Sequence, residues 1–451
     1  MNLEELRNKS ILMLGKPRAF NKEEFLKETE FYEIDIIYEY NEDVVMVVDG
    51  KMMTPYEQNK SDELYEKYSK EIEFISIDTL EEELVKHINP NTLLMSLKLS
   101  KDKERLKSFI QNSCLRDELF FKLLKMYSWN DENFFDNNDN RDVSAAIILR
   151  FYKDIERNHN VQYATSGYVH LISQTDNATL LETIAMLEPL QNSFKKDSTT
   201  TNYNILKAIA THPLTPKSVI KMFIKKSDSH MKTLLSIRED NDDDILLSLY
   251  ETNDDEVHKA LSYNLSLSKD IINKFLQSDK YVDNIARFQK LDYELFENLI
   301  KKYSLELAEN ESLTSKMQAR LVGLKKEDVL VSLASNIKIE SKIIKELLSK
   351  DLADIKSALY SNTATSADDL EEAYDDEANH ASLAYNNSTP SHILEKLSHT
   401  KDIEVLQGLA KNENTPVEVL YQLQLDARLA RSVKENPAFG QHIQTENLGW
   451  L

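Results

Sequence analysis

The stretch Ile205-Leu-Lys-Ala-Ile-Ala-Thr-His-Pro-Leu-Thr-Pro-Lys-Ser-Val-Ile220 decides the fold, because it recurs later in the chain as Val405-Leu-Gln-Gly-Leu-Ala-Lys-Asn-Glu-Asn-Thr-Pro-Val-Glu-Val-Leu420. In both copies a short apolar run ends at a polar residue, a Thr-Pro turn follows, and a second apolar run begins. Self-similarity at a fixed period is the signature of a repeat architecture. We therefore predict consecutive helix–turn–helix units.

The residue that ends the first helix of each unit, here called the anchor, recurs every 24 to 26 residues with one longer gap. The predicted anchors are His212, Arg238, Asn264, Asn310, Asn336, Asn362, Asn386, Asn412 and Asn436. The gap of 46 residues before Asn310 predicts one degenerate repeat near Phe288. Asparagine tolerates the left-handed backbone conformation and caps turns with its side chain, so the seven asparagines are predicted to be structural anchors.

The turn of each unit predicts how the second helix starts. In Asn414-Thr415-Pro416, Thr415 is expected to be the N-cap and Pro416 the first helical residue. Neither helix can bury its apolar stripe alone, whereas stacked units share one continuous core. The predicted fold is therefore mainly α: a right-handed α-solenoid of about ten repeats, with a small α/β segment before it.

The repeat resembles that of the leucine-rich repeat variant family, in which an Ala-x-Asn-Pro-Asn-Thr-Pro segment precedes Val-Leu. The closest matches are Asn89-Pro90-Asn91-Thr92, Ala384 to Pro390 with Ile393-Leu394, and Ala410 to Leu420, and Asn112 begins a weaker copy. The resemblance covers roughly residues 88–440 and implies a superhelix with a concave face. The founding member carries a four-cysteine iron–sulfur domain, which a chain with one cysteine cannot form.

The first 87 residues show a different pattern. Short apolar or β-branched runs at Ser10–Leu14, Glu33–Tyr38, Val44–Val48 and Glu73–Ile77 alternate with charged helical stretches at 21–29, 59–70 and 79–87. This order predicts β-α-β-β-α-β-α with a parallel sheet covered on both faces.

This segment resembles a BRCT domain, a module that mediates protein contacts and in some members binds phosphopeptides. The resemblance rests on Gly15 after the first strand and on the closing Phe74 to Glu81. Leu14 and Thr79 depart from the family, which has Ser or Thr before the glycine in phosphate-binding members and a core Trp at the second position. Lys60, expected to open the second helix, is the one predicted phosphate contact that the resemblance implies.

Four segments are predicted: a BRCT-like domain (1–87), an irregular helical or degenerate repeat region (88–200), the clear repeats (201–440) and a C-terminal cap or tail (441–451). The repeat period is lost between residues 127 and 201, where a junction between repeat segments or a functional insertion is expected. Trp450 and Leu451 are expected to plug the last repeat, since an open end exposes apolar surface.

Composition limits the class of partner. The chain has 77 acidic residues against 55 Lys and Arg, a net charge of −22, which repels nucleic acid and anionic membranes and favours a basic protein partner. The lysine pairs are scattered among acids. A lone cysteine and the lack of a long apolar run indicate a reducing compartment, the cytoplasm, with no membrane insertion.

Motifs for chemistry are weak throughout the sequence. The glycines lie at 15, 50, 167, 323, 408, 440 and 449, too far apart for a phosphate loop. The calcium-loop spacing of Asp240, Asp242, Asp244 and Glu251 has Ile245 where a glycine is needed, so a helix start is expected instead. The Glu-x-x-His pairs Glu156/His159 and Glu377/His380, and Cys114 with His170, are read as structural.

No cofactor, metal or catalytic residue is therefore predicted. The predicted function is a non-enzymatic scaffold that binds protein through an acidic helical-repeat surface. The alternative is an accessory protein in nucleic-acid maintenance that acts through the BRCT-like segment and a local basic groove. A repeat fold by itself does not specify the partner, the pathway, the oligomeric state or the binding face.

Overall fold

A computed structural model describes residues 2–152, 161–194 and 200–445. The chain divides into two compact units, Met1–Leu235 and Ser236–Leu451. The described residues are mainly helical, with one small four-stranded parallel sheet near the N-terminus. The predicted class, mainly α with a small α/β segment, is confirmed at this level.

The first unit begins with the predicted β-α-β-β-α-β-α order. Its elements, after a short 3-10 helix at Leu3–Leu6, are β1 (Ser10–Leu14), α1 (Lys22–Phe31), β2 (Asp35–Ile37), β3 (Val44–Asp49), α2 (Pro55–Tyr68), β4 (Glu73–Ser76) and α3 (Ile77–His87). All strand pairs are parallel, in the order β2-β1-β3-β4. Consecutive residues of β1 from Ile11 to Leu14 are buried, which shows that both faces of the sheet centre are covered.

Helices make up the rest of the first unit. They are α4 (Pro90–Ser100), α5 (Lys103–Gln111), α6 (Asp117–Leu124), α7 (Asn138–Phe151), α8 (Thr165–Gln174), α9 (Ala178–Ala185), α10 (Glu188–Ser193), α11 (Thr200–Thr211), α12 (Lys217–Lys226) and α13 (Ser229–Ser236), with a 3-10 helix at Val161–Tyr163. The segment before α7 looks polar in sequence, yet Trp129 and Phe134 are fully buried and their rings meet edge to face. Asn140 holds this segment by donating to the carbonyls of Trp129 and Asn133.

The second unit consists of helix pairs. The elements are α14 (Asp243–Tyr250), α15 (Asp255–Ser262), α16 (Lys269–Ser278), α17 (Val282–Phe288), α18 (Tyr293–Leu299), α19 (Ser304–Ala308), α20 (Ser315–Val322), α21 (Glu327–Ala334), α22 (Ser341–Leu348), α23 (Ala353–Tyr360), α24 (Ala367–Ala373), α25 (His380–Tyr385), α26 (Ser391–Leu397), α27 (Ile403–Lys411), α28 (Val417–Gln424), α29 (Ala430–Glu435) and α30 (Pro437–Thr445), with a 3-10 helix at Glu377–Asn379. The odd-numbered helices from α15 to α29 are the first helices of the repeats, and each contacts the next.

The seven asparagine anchors form a hydrogen-bonded chain, here called the amide ladder. Each Nδ2 group donates to two backbone carbonyls of the preceding repeat at 2.7–3.1 Å. One acceptor is the carbonyl of the preceding anchor itself. The acceptors are Ser236 and Arg238 for Asn264, Ala286 and Gln289 for Asn310, Ala308 and Asn310 for Asn336, Ala334 and Asn336 for Asn362, Tyr360 and Asn362 for Asn386, Ala384 and Asn386 for Asn412, and Ala410 and Asn412 for Asn436.

The degenerate repeat near Phe288 is held in the same way. Gln289 follows directly, is buried, and donates Nε2 to the carbonyls of Ser262 and Asn264. Its longer side chain reaches the acceptors that an asparagine serves in the other repeats. The predicted position of the missing anchor is therefore correct within one residue.

The predicted backbone conformation of the anchors is wrong. Asn386, Asn412 and Asn436 have φ between −85° and −71°, and none of the seven asparagines has a positive φ. Left-handed residues instead follow second helices, as at Asp279, Lys325 and Asp351. The predicted cap is confirmed, since each anchor Oδ1 accepts the N–H of the residue two positions on.

The predicted N-cap role of Thr415 is also wrong. Thr415 is buried and its hydroxyl donates to the carbonyl of Leu409, near the end of the first helix, at 2.8 Å. Pro416 is the N-cap of α28, so the helix begins at Val417, one residue later than expected. The same hydroxyl bond recurs at Thr215, Thr365 and Thr389. The threonine therefore stabilises the turn through a buried hydrogen bond back to the first helix of its own unit.

The close approach of neighbouring first helices gives a testable prediction at Gly408. A Cβ atom on Gly408 of α27 would lie 2.7 Å from Cβ of Ala384 in α25. We expect Gly408→Ala to lower the free energy of unfolding by about 1–3 kcal/mol, because the two helices must separate. Gly440→Ala is the matched control, since nothing lies within 4 Å of its added Cβ. Urea titration would contradict this packing if both variants were equally stable.

Candidate functional site

Acidic side chains open most of the first helices in the second unit. They are Asp255 and Glu256 in α15, Asp283 in α17, Glu306 in α19, Glu327 and Asp328 in α21, Asp354 in α23, and Glu404 in α27. A carboxylate in the first turn stabilises a helix through the positive end of its dipole. Because these helices contact one another in order, the same carboxylates also recur along one row of the repeats.

Some of these carboxylates are neutralised within the protein and others are not. Asp255 accepts from Lys280 Nζ at 2.9 Å and from the Tyr281 hydroxyl at 2.7 Å, and these bonds lower the pKa of Asp255. In contrast, Glu327, Asp328 and Asp354 form no ion pair with any residue that the structure describes. Within the described residues, Glu256, Asp283, Glu306 and Glu404 form no ion pair either, so the row stays negative along its length. What distinguishes α21 and α23 is that three of the carboxylates, Glu327, Asp328 and Asp354, meet around one groove.

A groove of about 760 Å³ lies between these two helices. Its lining residues are Glu327, Asp328, Val331, Ser335, Ile337, Asp354, Ser357, Ala358, Ser361, Asn362 and Thr363. The three carboxylates supply the charge, while Val331 and Ala358 supply a half-buried apolar surface and Ile337, 55% exposed, lies at one end. This combination can hold a cationic side chain together with an aliphatic one.

The groove could not be located from sequence, although each part of it was visible there. First-turn acids such as Glu327 are ordinary helix-start residues. They become a site only when Asp354 of the next repeat lies beside them, and the sequence does not give that distance.

Lys60, the predicted phosphate contact, lies in the interior of α2 and not at its start. The helix begins five residues earlier, at Pro55, with Thr54 as N-cap and a capping box to Glu57. The Thr-Pro-x-Glu signal for this start was present in the sequence. The expected helix start at residue 59 is therefore corrected to residue 55.

The Glu57 carboxylate binds the backbone at Gly15, the glycine on which the BRCT resemblance partly rests. Its Oε1 accepts the Gly15 N–H at 3.1 Å, and its Oε2 accepts the Thr54 N–H at 2.7 Å. The hydrogen bond from the Thr54 backbone, followed by those from the Thr54 hydroxyl and Gly15, lowers the pKa of Glu57. The phosphate contact of Lys60 stays a prediction, and any phosphate bound to Gly15 would have to displace this carboxylate.

The Glu81 carboxylate is a buried acidic group of the same segment, and its partners are backbone N–H groups. It is fully buried, and burial raises its pKa. The backbone N–H groups of Arg18, Ala19 and Phe20 donate to it at 2.8–3.1 Å. Glu81 therefore fixes the loop after β1.

The residues considered for catalysis have structural environments. Cys114 follows the Asn112 turn, where its N–H donates to Asn112 Oδ1 at 2.9 Å. Burial raises the pKa of the Cys114 thiol, which is the opposite of what a nucleophile needs. The ring of His170 stacks on Tyr152 with the ring centroids 6.2 Å apart.

The residues considered for metal binding are likewise engaged in helix capping and ion pairs. Asp242 is the N-cap of α14 and accepts the Ile245 N–H, and Asp240 pairs with Arg238. His380 Nε2 lies 2.9 Å from the carbonyl of Tyr374. Glu156 and His159 lie outside the described residues, as do Trp450 and Leu451. Among the residues described, no group of three or more His, Cys, Asp or Glu is arranged to hold a metal.

Comparison with known proteins adds no relative. No protein-family model, curated protein or solved structure matches the chain. The resemblances to leucine-rich repeat variant and BRCT proteins, and the segment boundaries drawn from them, therefore stay predictions. None of the described helices is both long and apolar enough to cross a lipid bilayer.

Proposed function

We propose that the repeats of the second unit form a right-handed α-solenoid and that the protein is a non-enzymatic scaffold that binds another protein on its first-helix surface. The amide ladder supports stacked repeats, because each of the seven asparagine anchors donates to carbonyls of the repeat before it. Consecutive first helices approach one another more closely than most consecutive second helices do, which supports a concave face on the first-helix side. Extended concave surfaces are what repeat proteins use for binding.

The groove between α21 and α23 carries the proposal for the partner. Its carboxylates, Glu327, Asp328 and Asp354, have no cation from the described part of the chain, so a cation from a partner would complete them. The apolar surface beside them favours a protein segment over a free metal ion or polyamine. The proposed ligand is a basic segment that presents Lys or Arg next to an aliphatic side chain.

Charge complementarity of this kind has a measurable consequence. Attraction between an acidic row and a basic segment accelerates association and weakens as salt screens it. The same field, with a net charge of −22, opposes binding of a nucleic-acid backbone.

The test is affinity capture from native lysate with the full chain, followed by titration of the purified partner at low and high salt. The groove variant carries Glu327→Gln, Asp328→Asn and Asp354→Asn. The control variant carries Asp368→Asn, Glu372→Gln and Asp375→Asn, which removes the same charge from exposed positions outside the groove.

We expect the groove variant to lose at least about tenfold in affinity for the captured partner, since three charge-assisted contacts are removed, while the control changes by less than about threefold. If both variants lost affinity equally, the loss would come from the reduced net charge, which would contradict the groove as the binding site. Capture of nucleic acid that nuclease removes would instead favour the nucleic-acid alternative.

A further inference from the structure

A second concave site, in the first unit, has the opposite charge. It is a pocket of about 410 Å³ where the end of α4, the start of α5 and the end of α6 meet. Its lining residues are Leu97, Lys98, Lys101, Asp102, Lys103, Leu106, Lys125, Met126, Tyr127 and Ser128. Four lysines thus surround one carboxylate, in a protein whose net charge is −22. We call this the lysine pocket.

The four lysines are not neutralised by the parts of the protein that the structure describes. Lys98, Lys101, Lys103 and Lys125 form no ion pair there. Neighbouring lysines on the same helices behave differently, because Lys107 of α5 pairs with Asp139 at 2.5 Å and Lys122 of α6 pairs with Glu118 at 2.7 Å.

The single carboxylate of the pocket already has a partner. Asp102 is the N-cap of α5, and its Oδ1 accepts the Arg105 N–H at 3.0 Å. Asp102 therefore serves the helix and does not neutralise a lysine by an ion pair.

Helix stabilisation explains only part of this arrangement. Lys98 and Lys101 at the end of α4, and Lys125 at the end of α6, suit the negative ends of the helix dipoles. Lys103 is the first residue of α5, where a cation opposes the dipole. Placing it beside three other lysines adds like-charge repulsion that an anionic ligand would relieve.

We propose that the lysine pocket binds a phosphorylated organic compound. Lysine suits phosphate as a point charge, whereas planar carboxylates are recognised best by the fork of arginine, which the pocket lacks. Leu97 and Leu106 are buried beneath the pocket and Met126 is half-buried, so an apolar part of the ligand has a surface to contact. The volume lies within the range of small-molecule sites.

The site favours a compact ligand over a nucleic-acid strand. Binding a strand requires an extended basic track with aromatic platforms for the bases. Here the basic residues are confined to one pocket, and its aromatic residue, Tyr127, is half-buried with its hydroxyl bonded to Asn140 Oδ1 at 2.9 Å.

The experiment is isothermal titration of the full chain with three phosphate probes: inorganic pyrophosphate, phenyl phosphate and a phosphoserine pentapeptide. The pocket variant carries Lys103→Gln and Lys125→Gln. The control variant carries Lys342→Gln and Lys345→Gln, two exposed lysines of α22 that lie outside the pocket. Circular dichroism would confirm that all three proteins are equally helical. A single-stranded oligonucleotide is the fourth probe.

We expect phenyl phosphate to bind the wild type once per chain, and its affinity to fall at least about tenfold in the pocket variant and less than about twofold in the control. If the phosphopeptide bound more tightly than phenyl phosphate, the natural phosphate group would belong to a phosphorylated protein side chain. If phenyl phosphate bound more tightly, the ligand would be a free phosphorylated compound. Equal affinity in both variants, no binding of any phosphate probe at about 10 mM, or binding of the oligonucleotide alone would overturn the proposal.

Discussion

Replacement of Asn386 by aspartate is expected to lower the free energy of unfolding by about 3–5 kcal/mol. Asn386 is fully buried, and its Nδ2 group donates to the carbonyls of Tyr360 and Asn362, both at 2.8 Å. Aspartate has nearly the same shape but no N–H to give. Both carbonyls would lose their partner, and a carboxylate oxygen would face them without water.

The adjacent Asn387 provides the matched control. It is exposed, and its side chain bonds through Oδ1, which accepts the Glu413 N–H. An aspartate oxygen can accept the same bond, so Asn387→Asp keeps the interaction. Urea unfolding followed by circular dichroism would measure both variants, and hydrogen exchange at Ser388, whose N–H donates to Asn386 Oδ1, would localise the loss. Equal stabilities of the two variants would show that the amide ladder contributes little.

The pH dependence of Asn386→Asp should carry the sign of a buried acid. Burial against carbonyl oxygens raises the pKa of a carboxyl group in the folded state above its value in the unfolded chain. The folded state then binds the extra proton first as pH falls, so the stability deficit shrinks towards acid pH. A neutral acid can also return one hydrogen bond to a carbonyl. The Asn387→Asp control should show no such recovery.

Sequence periodicity was sufficient to find the anchors but not their role. The spacing placed Asn264 to Asn436 at equivalent positions and located the degenerate repeat that Gln289 completes. Local rules then assigned asparagine to a left-handed turn. In most repeats the side-chain amide of the anchor in fact reaches carbonyls 24 to 28 residues earlier in the chain. This contact exists only when neighbouring repeats pack against each other. The N-cap expectation for Thr415 fails for a different reason: its hydroxyl bonds backwards to the Leu409 carbonyl of the same unit, whereas the capping rule considers only the helix that follows.

The α/β segment shows where single-sequence reading works and where it stops. Apolar runs predict four strands in the correct order along the chain, because a buried parallel strand is apolar on both faces. The charged stretch from residue 59 predicts too late a start for α2, because the Thr54–Glu57 capping box sets the first turn of this helix. The sequence does not predict the groove or the lysine pocket, because each brings together residues of separate helices, such as Lys103 and Lys125.

Replacement of Arg105 by methionine is expected to lower the free energy of unfolding by about 3–5 kcal/mol, because it strands a buried charge. The Arg105 Nε group lies 2.6 Å from Glu24 Oε1, and Glu24 is only 2% exposed. Arg105 also donates to the Ser96 hydroxyl at 2.7 Å. This contact joins α1, which follows β1, to the helices after residue 88.

Two further variants separate the pair from a general effect of lost charge. Arg7→Met breaks the exposed pair with Glu33, about half of which is open to solvent, and should leave the unfolding midpoint nearly unchanged. The double variant Glu24→Leu/Arg105→Met removes both charges and should recover most of the loss, since no unpaired charge remains. A double variant less stable than Arg105→Met would mean that packing of the arginine stem, and not the stranded charge, accounts for the effect.

The Arg105→Met deficit should also depend on pH. Burial raises the pKa of the neighbouring Glu28, the charge of Glu24 raises it further, and Arg105 opposes both. Without Arg105 the folded state would take up a proton at Glu28 at higher pH than the unfolded chain. Stability of the variant relative to the wild type should therefore improve as pH falls through the range between the unfolded and folded pKa values, and worsen as pH rises. A deficit that stays constant from pH 7 to about pH 4 would contradict electrostatic coupling between α1 and α5.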